Sequence, residues 1–435
     1  MTGNSQNPAL WMPDAEMHPV WWDDLQALPA LPATVPQKTD VVVIGCGYTG
    51  LNAGIEIARG GRQTLILEAQ DIGHGCSSRN GGQIGTSVKP SIATLTRKFG
   101  ADRAARIRGE GRTALDWIED RIRTEAIDCD FKRAGRFHAA HSPAQFTALV
   151  KDAASLRAEG IPVEEVPRSD QEAEIGSAAY YGGIVLPRHA SLHPAKYHQG
   201  LVRVARAAGV DIRDHCPAQA IDRDGDGYRI QTALGEIRCR DVVIATNGYT
   251  TGVTPWLQRR TIPIGSYMIA TEPLPRDLID RIMPTDRVIS DSRKVVYYYR
   301  PSPDRRRMIF GGRVSSNETN PMISGPRLHA DMCRLFPELS NSRISHSWCG
   351  TVAYTFDETM HVGRHDGMYY AMGYCGSGVG MASYLGMRLG LQVLGRSEGR
   401  TAFDDLPFPT RPFYRGRPWF LPAMVAYYRW RDGRG

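Results

Sequence analysis

The chain has 435 residues, of which 42% are hydrophobic and 23% are charged, and this composition excludes a largely disordered, collagen-like or coiled-coil protein. The formal charges sum to +7, which is compatible with an anionic partner. Because the basic residues are spread along the chain and cluster only in its C-terminal tail, we expect no nucleic acid partner.

Membrane and redox features of the sequence predict a cytoplasmic protein with reduced thiols. No stretch approaches the ~18 consecutive apolar residues that a transmembrane helix needs, and residues 1–20 lack the pattern of a secretory signal. The eight cysteines contain no CxxC pair, which argues against a zinc or thioredoxin-type motif and against a disulfide framework.

The first forty residues predict a turn-rich N-terminal arm, because tryptophans stand among several prolines. A continuous apolar run at residues 40–44 then predicts a buried strand. Helical spacing over 48–59 predicts a helix that Gly60 and Gly61 end, and residues 63–68 form a second apolar run. A strand, a helix and a strand in this order make a β-α-β unit, which requires a parallel sheet.

The remaining chain predicts further helices and strands. Helices are expected over 91–125, 144–159, 194–208 and 380–394, and strands over 130–140, 241–246, 262–271, 294–300, 307–311 and 368–372. Residues 228–232 and 236–240 alternate on either side of Leu234 and Gly235, which predicts a hairpin. The basic and aromatic C-terminal tail is expected to pack on the N-terminal arm, and a membrane-surface role is the alternative.

The sequence Gly45-Cys46-Gly47-Tyr48-Thr49-Gly50 directly follows the first strand and opens the first helix. In this GxGxxG pattern the first glycine permits a tight turn, the second lets the backbone approach a pyrophosphate, and the third allows the helix and strand to pack closely. Glu68 ends the second strand, where a carboxylate accepts hydrogen bonds from ribose hydroxyls. The combination predicts an adenine dinucleotide site.

Two further segments favour FAD over NAD. Residues 78–83 form a glycine-rich, polar loop soon after Glu68, where an NAD dehydrogenase would continue its alternation of helices and strands. Residues 373–380 form a second glycine-rich turn between a strand and a helix. The N-terminus of that helix would stabilise the negative charge of a reduced flavin. Simple close packing is the alternative explanation of this turn.

These motifs, together with ATNGYT at 245–250, YYYR at 297–300 and RMIFGGR at 307–313, resemble the D-amino-acid-oxidase-like family of FAD-dependent oxidoreductases. Within that family the chain is most similar to the gamma-glutamylputrescine oxidase group. The resemblance spans about residues 40–395 and implies an α/β fold with a discontinuous Rossmann-type FAD-binding domain and a mixed-sheet α+β substrate domain. We expect the FAD-binding domain at 40–95, 186–260 and 346–410, the substrate domain at 96–185 and 261–345, an N-terminal arm at 1–39 and a tail at 411–435.

The resemblance also implies which residues hold FAD. The expected set is Gly45, Gly47, Tyr48, Thr49, Gly50, Glu68, Ala69, Ser78, Arg79, Asn80, Gly81, Gly82, Gln83, Ala218, Thr246, Asn247, Gly376, Gly378, Val379 and Gly380. Sarcosine-oxidase-like relatives attach their flavin through a cysteine near Cys349. That residue stands one position out of register on its strand and would face the other way, so we expect non-covalent FAD.

Flavin oxidation of an amine is a hydride transfer that needs orientation and desolvation more than acid–base catalysis. In a strand, Tyr298 and Arg300 share one face, so Tyr298 is expected at the flavin and Arg300 is expected to anchor a substrate carboxylate. Tyr267, on a neighbouring strand, is a further catalytic candidate. The alternative is an aromatic strand that only packs, with Arg300 at a solvent edge.

The expected activity is oxidation of the C–N bond of a small amine or amino acid to an imine, with O2 or a quinone or other carrier as the electron acceptor. A gamma-glutamyl polyamine and an N-methyl amino acid are the candidate substrates. A hydroxy acid dehydrogenase and an RNA-modifying flavoprotein are the alternatives. No metal is expected, because no cysteine or carboxylate completes a ligand set with His189, His193 and His198.

Overall fold

The computed structural model describes residues 8–29, 31–313 and 320–432. Its strands are β1 (Trp11–Glu16), β2 (Lys38–Ile44), β3 (Thr64–Leu67), β4 (Gln83–Ile84), β5 (Arg136–Ala139), β6 (Glu164–Val166), β7 (Gly183–Leu186), β8 (Ala190–Ser191), β9 (Asp211–Arg213), β10 (Ala218–Asp224), β11 (Gly227–Thr232), β12 (Gly235–Ile244), β13 (Thr261–Thr271), β14 (Val288–Asp291), β15 (Tyr298–Pro301), β16 (Met308–Gly312), β17 (Ile344–Thr355), β18 (His361–His365) and β19 (Met368–Met372). Its helices are α1 (Tyr48–Arg59), α2 (Cys76–Arg79), α3 (Ile92–Phe99), α4 (Ala101–Thr124), α5 (Pro143–Ala158), α6 (Pro194–Ala207), α7 (Pro255–Gln258), α8 (Arg276–Ile282), α9 (Pro321–Leu335), α10 (Gly378–Val393) and α11 (Leu421–Asp432).

The first sheet is built around the apolar strand β2, which is buried because both of its faces are covered. β2 runs parallel to β3 on one side and to β12 on the other, and β9 and β19 extend the parallel part. This arrangement confirms the predicted β-α-β unit. The predicted hairpin is also confirmed, because β11 and β12 pair antiparallel with Thr232 opposite Gly235. Strands β10 and β18 complete this eight-stranded sheet.

The second sheet is mixed and has nine strands, in the order β1-β17-β13-β16-β15-β14-β5-β7-β6. Most of its neighbours are antiparallel, whereas β1 runs parallel to β17 and β14 runs parallel to β5. Tyr299, Phe310 and Leu328 lie in a core between one face of this sheet and α9. The α/β fold with a second, mixed sheet is therefore as predicted.

Helices α1, α4 and α10 pack together on the eight-stranded sheet. The predicted helix over 91–125 is two helices, because Gly100 adopts a positive φ of 80° and ends α3. Leu95 of α3 and Leu115 of α4 share one apolar core with Leu385 of α10. The boundary expected at residue 96 thus falls within this helical layer. Within the described residues, no helix is both long and apolar enough to cross a membrane.

Within the described residues, the hydrophobic contacts of the arm and those of the tail lie in different places, whereas the sequence predicted that the two segments pack on each other. Residues 11–16 of the arm form an edge strand of the nine-stranded sheet, and Trp21 is buried beside Met268 and Trp348. In the tail, Tyr414 and Leu421 pack on Ile262 and Ile264 at the far end of β13. The tail thus covers the end of the nine-stranded sheet, while the arm covers its middle.

Candidate flavin and substrate site

Three turns of the chain meet at one edge of the eight-stranded sheet. The parallel strands β2, β12 and β19 end there, with Ile44 paired to Ile244 and Ile244 paired to Tyr370. Asn247, in the turn after β12, accepts a hydrogen bond through Oδ1 from the N–H of Gly373 at 3.0 Å. Ligands of open parallel sheets bind at such carboxyl edges, so the edge is the candidate cofactor site.

The GxGxxG turn lies at the centre of this edge. A Cβ on Gly50 would lie 1.9 Å from the carbonyl oxygen of Gly45, and Gly45 itself has a φ of 106°, so neither position accepts another residue without a shift of the backbone. The N–H of Tyr48 points out of the first turn of α1 and donates to Ser77 Oγ at 3.0 Å. The N–H groups at a helix N-terminus and the helix dipole favour an anion here.

Glu68 lies directly behind this turn. Its carboxylate accepts hydrogen bonds from the N–H groups of Cys46 at 3.0 Å, Ala69 at 2.9 Å and Gln70 at 3.2 Å. Burial raises the pKa of Glu68, and these three N–H groups oppose the rise. The carbonyl of Glu68 also accepts from Cys216 N at 2.8 Å, two residues before Ala218 begins β10. Glu68, Ala69 and Ala218 are thus brought to one place, where a ribose and an adenine ring would lie.

The loop at 78–83 is held in place by Asn80. The side-chain amide of Asn80 donates to the carbonyls of Cys76 and Ser77, both at 3.0 Å, and its oxygen accepts from Gly82 N at 2.8 Å. Ser78 Oγ donates to the carbonyl of Gly73 and accepts from Trp22 Nε1 at 2.9 Å. These contacts hold the loop to the preceding residues 73–77 and to Trp22 of the arm.

Arg79 and Gln83 point away from Asn80 in two directions. Arg79 donates to the carbonyl of His74 at 2.5 Å and to that of Cys349 at 3.1 Å, and its guanidinium lies over the Trp22 ring. Gln83 begins β4, and its amide lies between Arg136 and the carbonyl of Ile289. The loop therefore contacts both the arm and the nine-stranded sheet.

The turn at 373–380 closes the other side of the edge. Gly376 has a φ of 96°, and α10 begins at Gly378. Val379 is buried, and Gly380 lies against Ile84 of β4. Thr49 Oγ1 lies 2.6 Å from the hydroxyl of Tyr374, which joins this turn to the start of α1. Thr246 Oγ1 lies 2.8 Å from Thr250 Oγ1 in the turn next to Gly45.

These features fit FAD. The edge offers an anion-binding helix N-terminus, a carboxylate for a ribose and a glycine-lined approach to a second helix N-terminus, that of α10. The residues that would hold the cofactor are those of the GxGxxG turn, Glu68, residues 78–83 and residues 376–380.

The nine-stranded sheet turns one face toward the loop at 78–83. Tyr298 lies on that face; its ring contacts Gly81, and its hydroxyl lies 2.7 Å from Ser266 Oγ. Burial raises the pKa of Tyr298 to about 12, so its phenol stays neutral. Ser266, Tyr298, Val352 and Tyr354 are half-buried, whereas most of the sheet is fully buried.

Arg300 shares this face with Tyr298, but its side chain is buried. Its guanidinium donates to the carbonyls of Leu192 at 2.9 Å and Pro301 at 3.2 Å, below Gly82 and beside Trp21. Burial lowers the pKa of Arg300 to about 10. Arg300 thus lies between the sheet, Leu192 and Gly82, and its role as a carboxylate anchor stays a prediction.

Tyr267 and Cys349 lie on the opposite face. They are paired across β13 and β17 and belong to the core that also contains Tyr299 and Phe310. Tyr267 is therefore not brought together with Tyr298. The side chain of Cys349 points away from the loop at 78–83, as its register predicts.

The three histidines considered for a metal are buried, and each contacts a different partner. His189 lies beside Thr86, His193 caps the N-terminus of α6, and His198 lies 2.7 Å from the carbonyl of Cys46. Among the described residues, His18, Asp23 and His346 are the one group with metal-ligand spacing. The sequence analysis did not identify this group. Asp23 and His346 are 3.0 Å apart.

Sequence reasoning missed Tyr354 on the half-buried face and the two cations beside it, Arg313 and Lys89. Arg313 Nη2 donates to the Tyr354 hydroxyl at 2.6 Å, and Lys89 Nζ donates to it at 3.4 Å. The alternation of side chains along β16 could have predicted the position of Arg313, because Gly311 and Arg313 share a face. No local pattern pointed to Lys89.

Comparison with known proteins gives consistent results. The family model described as FAD dependent oxidoreductase (DAO) matches residues 40–390. Gamma-glutamylputrescine oxidoreductase of Escherichia coli (strain K12) is 29% identical over 401 residues, which cover 91% of this chain and 93% of that protein. Probable oxidoreductase OrdL of Rhizobium meliloti (strain 1021) is 30% identical over 412 residues, with 93% and 94% covered.

A solved structure shows the same fold. The crystal structure of glycine oxidase from Geobacillus kaustophilus superposes with a TM-score of 0.73 and 19% identity, covering 87% of this chain and 99% of that chain. At this identity the similarity concerns the architecture only.

Proposed function

The chain belongs to the DAO family of FAD-dependent oxidoreductases, and from this premise we propose that it oxidises the C–N bond of a small amine or amino acid to an imine. Bound FAD would supply a two-electron acceptor for the hydride of the substrate C–H, with loss of the N–H proton, and water would hydrolyse the resulting imine. Relatives named for gamma-glutamylputrescine and glycine oxidation support an amine over a hydroxy acid.

The observation that carries the proposal is the half-buried face of the nine-stranded sheet opposite the loop at 78–83. Ser266, Tyr298, Val352 and Tyr354 present one hydroxyl, two phenols and an aliphatic side chain to this region. Such a surface orients a substrate and excludes water, which is what hydride transfer requires. Since the phenol of Tyr298 stays neutral, an amine must lose its proton to solvent or to a group other than Tyr298 before it is oxidised.

Roles for individual residues follow from this arrangement. We assign cofactor binding to the GxGxxG turn, Glu68 and residues 78–83 and 376–380, and substrate orientation to Tyr298. The eight-stranded sheet with its helices would form the FAD-binding domain, and the nine-stranded sheet would form the substrate domain. O2, a quinone or another carrier would reoxidise the flavin.

Anaerobic bleaching of the flavin absorbance tests the proposal. Purified holoenzyme is mixed with amines, N-methyl amino acids, gamma-glutamyl amines and, as the contrasting class, 2-hydroxy acids. We expect bleaching by at least one amine class and none by hydroxy acids. Bleaching by hydroxy acids alone would replace the proposal with the dehydrogenase alternative. Release of H2O2 in air against reduction of a quinone or dye then identifies the acceptor.

A further inference from the structure

A pocket of about 310 Å³ lies where the N-terminal arm joins the edge of the nine-stranded sheet. Strand β1 runs parallel to β17 there, with Glu16 opposite His346. The chain then turns through His18 and brings Asp23 back to the same strand, where its carboxylate lies 3.0 Å from His346 Nε2. Residues that are far apart in the sequence thus meet in one pocket.

Donor atoms in this pocket have the spacing of metal ligands. One atom each from His18, Asp23 and His346 lies within 4.8 Å of the other two. Neighbouring ligands of a tetrahedral zinc ion are about 3.3 Å apart, because each lies about 2.0–2.1 Å from the metal. The 3.0 Å between His346 and Asp23 is close to this value, and so is the 3.5 Å between His18 Nε2 and Glu16 Oε2. Two imidazoles and a carboxylate are therefore in place, with a second carboxylate within reach.

Hydrogen bonds orient the His346 ring for a metal. The Ser345 hydroxyl lies 2.8 Å from the carbonyl of Thr271 and 2.9 Å from His346 Nδ1. Because a carbonyl only accepts, the hydroxyl donates to Thr271, and its oxygen accepts the hydrogen on Nδ1. In the neutral imidazole the lone pair is then on Nε2, which faces the Asp23 carboxylate, and a cation between them relieves their repulsion. Histidines that bind a metal donate the hydrogen of their other nitrogen in this way.

The charges that line the pocket favour a cation. Three carboxylates contribute to the lining, those of Asp14, Glu16 and Asp23. They are accompanied by one guanidinium, that of Arg307, which donates to the carbonyl of Thr271 at 2.8 Å. The excess of negative charge suits a divalent ion, and the imidazole nitrogens favour Zn²⁺ over Mg²⁺ and Ca²⁺, which prefer oxygen ligands. The three acidic residues are exposed, which gives an ion its entry path.

We propose that His18, Asp23 and His346 bind Zn²⁺ and that this ion fastens the N-terminal arm to β17. Glu16 or a water molecule completes the four ligands of a structural zinc site. The His18 ring stacks on Trp22, with centroids 5.9 Å apart, and Trp22 donates to Ser78 of the loop at 78–83. The ion therefore fixes the part of the arm that contacts this loop. The inference is independent of the proposed amine oxidation, because none of the ligands belongs to the residues assigned to cofactor or substrate.

Zinc binding to purified holoenzyme tests the inference. The protein is dialysed against EDTA and then against chelator-free buffer, and Zn²⁺ is titrated by calorimetry and counted by elemental analysis. We expect a zinc site of one ion per chain that Mg²⁺ and Ca²⁺ do not occupy. The midpoint of thermal unfolding should rise by about 3 °C at a free Zn²⁺ concentration about 100-fold above the Kd. If the wild-type holoenzyme binds no Zn²⁺, Asp23 and His346 form only an ion pair and the inference is overturned.

Two variants identify the ligands without changing a buried residue. His18 is half-buried and Asp23 is exposed, so His18→Gln and Asp23→Asn should both fold, which FAD content and circular dichroism verify. Each variant should weaken Zn²⁺ binding at least tenfold and remove most of the thermal shift. An unchanged Zn²⁺ affinity in either variant places the ion elsewhere and overturns the inference.

A second histidine–aspartate pair provides the matched control. His215 Nε2 lies 2.9 Å from Asp71 Oδ1, and both side chains are exposed. This pair lies outside the pocket and outside the group with metal-ligand spacing. His215→Gln should therefore keep the wild-type Zn²⁺ affinity and thermal shift. Equal weakening in His215→Gln and His18→Gln would mean that Zn²⁺ binds to surface histidines in general, which also overturns the inference.

Discussion

Gly386 of α10 faces α1, and replacing it with alanine should force apart the two helices whose N-termini form the cofactor turns. A Cβ at this position would lie 2.5 Å from the carbonyl oxygen of Thr49 and 2.8 Å from its Cα. Because the obstruction is backbone, it cannot be relieved by a side-chain rotation, and we expect an overpacking cost of about 2–3 kcal/mol. Alanine has a higher helix propensity than glycine, which stabilises the variant by about 1 kcal/mol, so the net destabilisation is about 1–2 kcal/mol.

Gly109 of α4 is the matched control. It is also in a helix interior, but the nearest atom to an added Cβ is the tip of Arg112 at 3.9 Å. Gly109→Ala should therefore stabilise the protein by about 0.5–1 kcal/mol. The same chemical change is expected to act with opposite sign at the two sites, so that their difference isolates the contact between α1 and α10.

Urea unfolding of the apoprotein, followed by circular dichroism, gives the free energies of unfolding. Fluorescence quenching of FAD gives the cofactor Kd, which should increase for Gly386→Ala and stay unchanged for Gly109→Ala. If Gly386→Ala is as stable as the parent protein and binds FAD equally well, the close approach of the two helices does not support the site, and the reasoning fails.

Three further measurements test other parts of the structure. Glu68→Gln should weaken FAD binding about 10- to 100-fold, since a hydrogen bond to a charged group contributes about 1.5–3 kcal/mol; an unchanged FAD Kd would contradict the ribose assignment. Burial lowers the pKa of His193 to about 4, below the unfolded value of about 6.5, so the unfolded state binds more protons between these values and stability is lost as the pH falls. His193→Asn keeps a capping acceptor for α6. From about pH 7 to about pH 5, the loss in its free energy of unfolding should be smaller than the loss in the parent protein by up to about 2 kcal/mol. An equal loss in the two proteins would refute this. Trp21→Ala should destabilise the protein by about 3–5 kcal/mol, whereas Trp419→Ala, at a side chain that is 77% exposed, should change stability by less than about 0.5 kcal/mol; similar losses would mean that the arm does not pack as described.

The parts of the fold that sequence predicts well are those fixed by local chemistry. The strand at 40–44, the glycines of the following turn and the helix that begins at Tyr48 all lie within twenty residues of one another, and each favours the same structure. The hairpin about Gly235 is equally local. The packing partners of the arm and tail were not predictable in this way, because the arm pairs with β17 and the tail packs on β13, and both strands are far from these segments in the sequence.

The candidate substrate face shows why local patterns did not suffice there. Alternation along β15 correctly grouped Tyr298 with Arg300 and separated them from Tyr299, but it contains no information on what covers each residue. Pairing across four strands, together with the loop at 78–83 and Trp21, decides that Tyr298 is half-buried while Arg300 is sealed under Gly82.

Tyr267 illustrates the same limit across strands. The sequence offered it and Tyr298 as two residues of one site, yet the register pairs Tyr298 with Gly311 and Tyr267 with Gly312. Neighbouring positions on β16 point to opposite faces, so these two tyrosines cannot both face the loop at 78–83. The same one-residue step places Arg313 beyond Gly312 and back on the face of Tyr298. Thus the register that turns Tyr267 toward the core also brings Arg313 to the face of Tyr298.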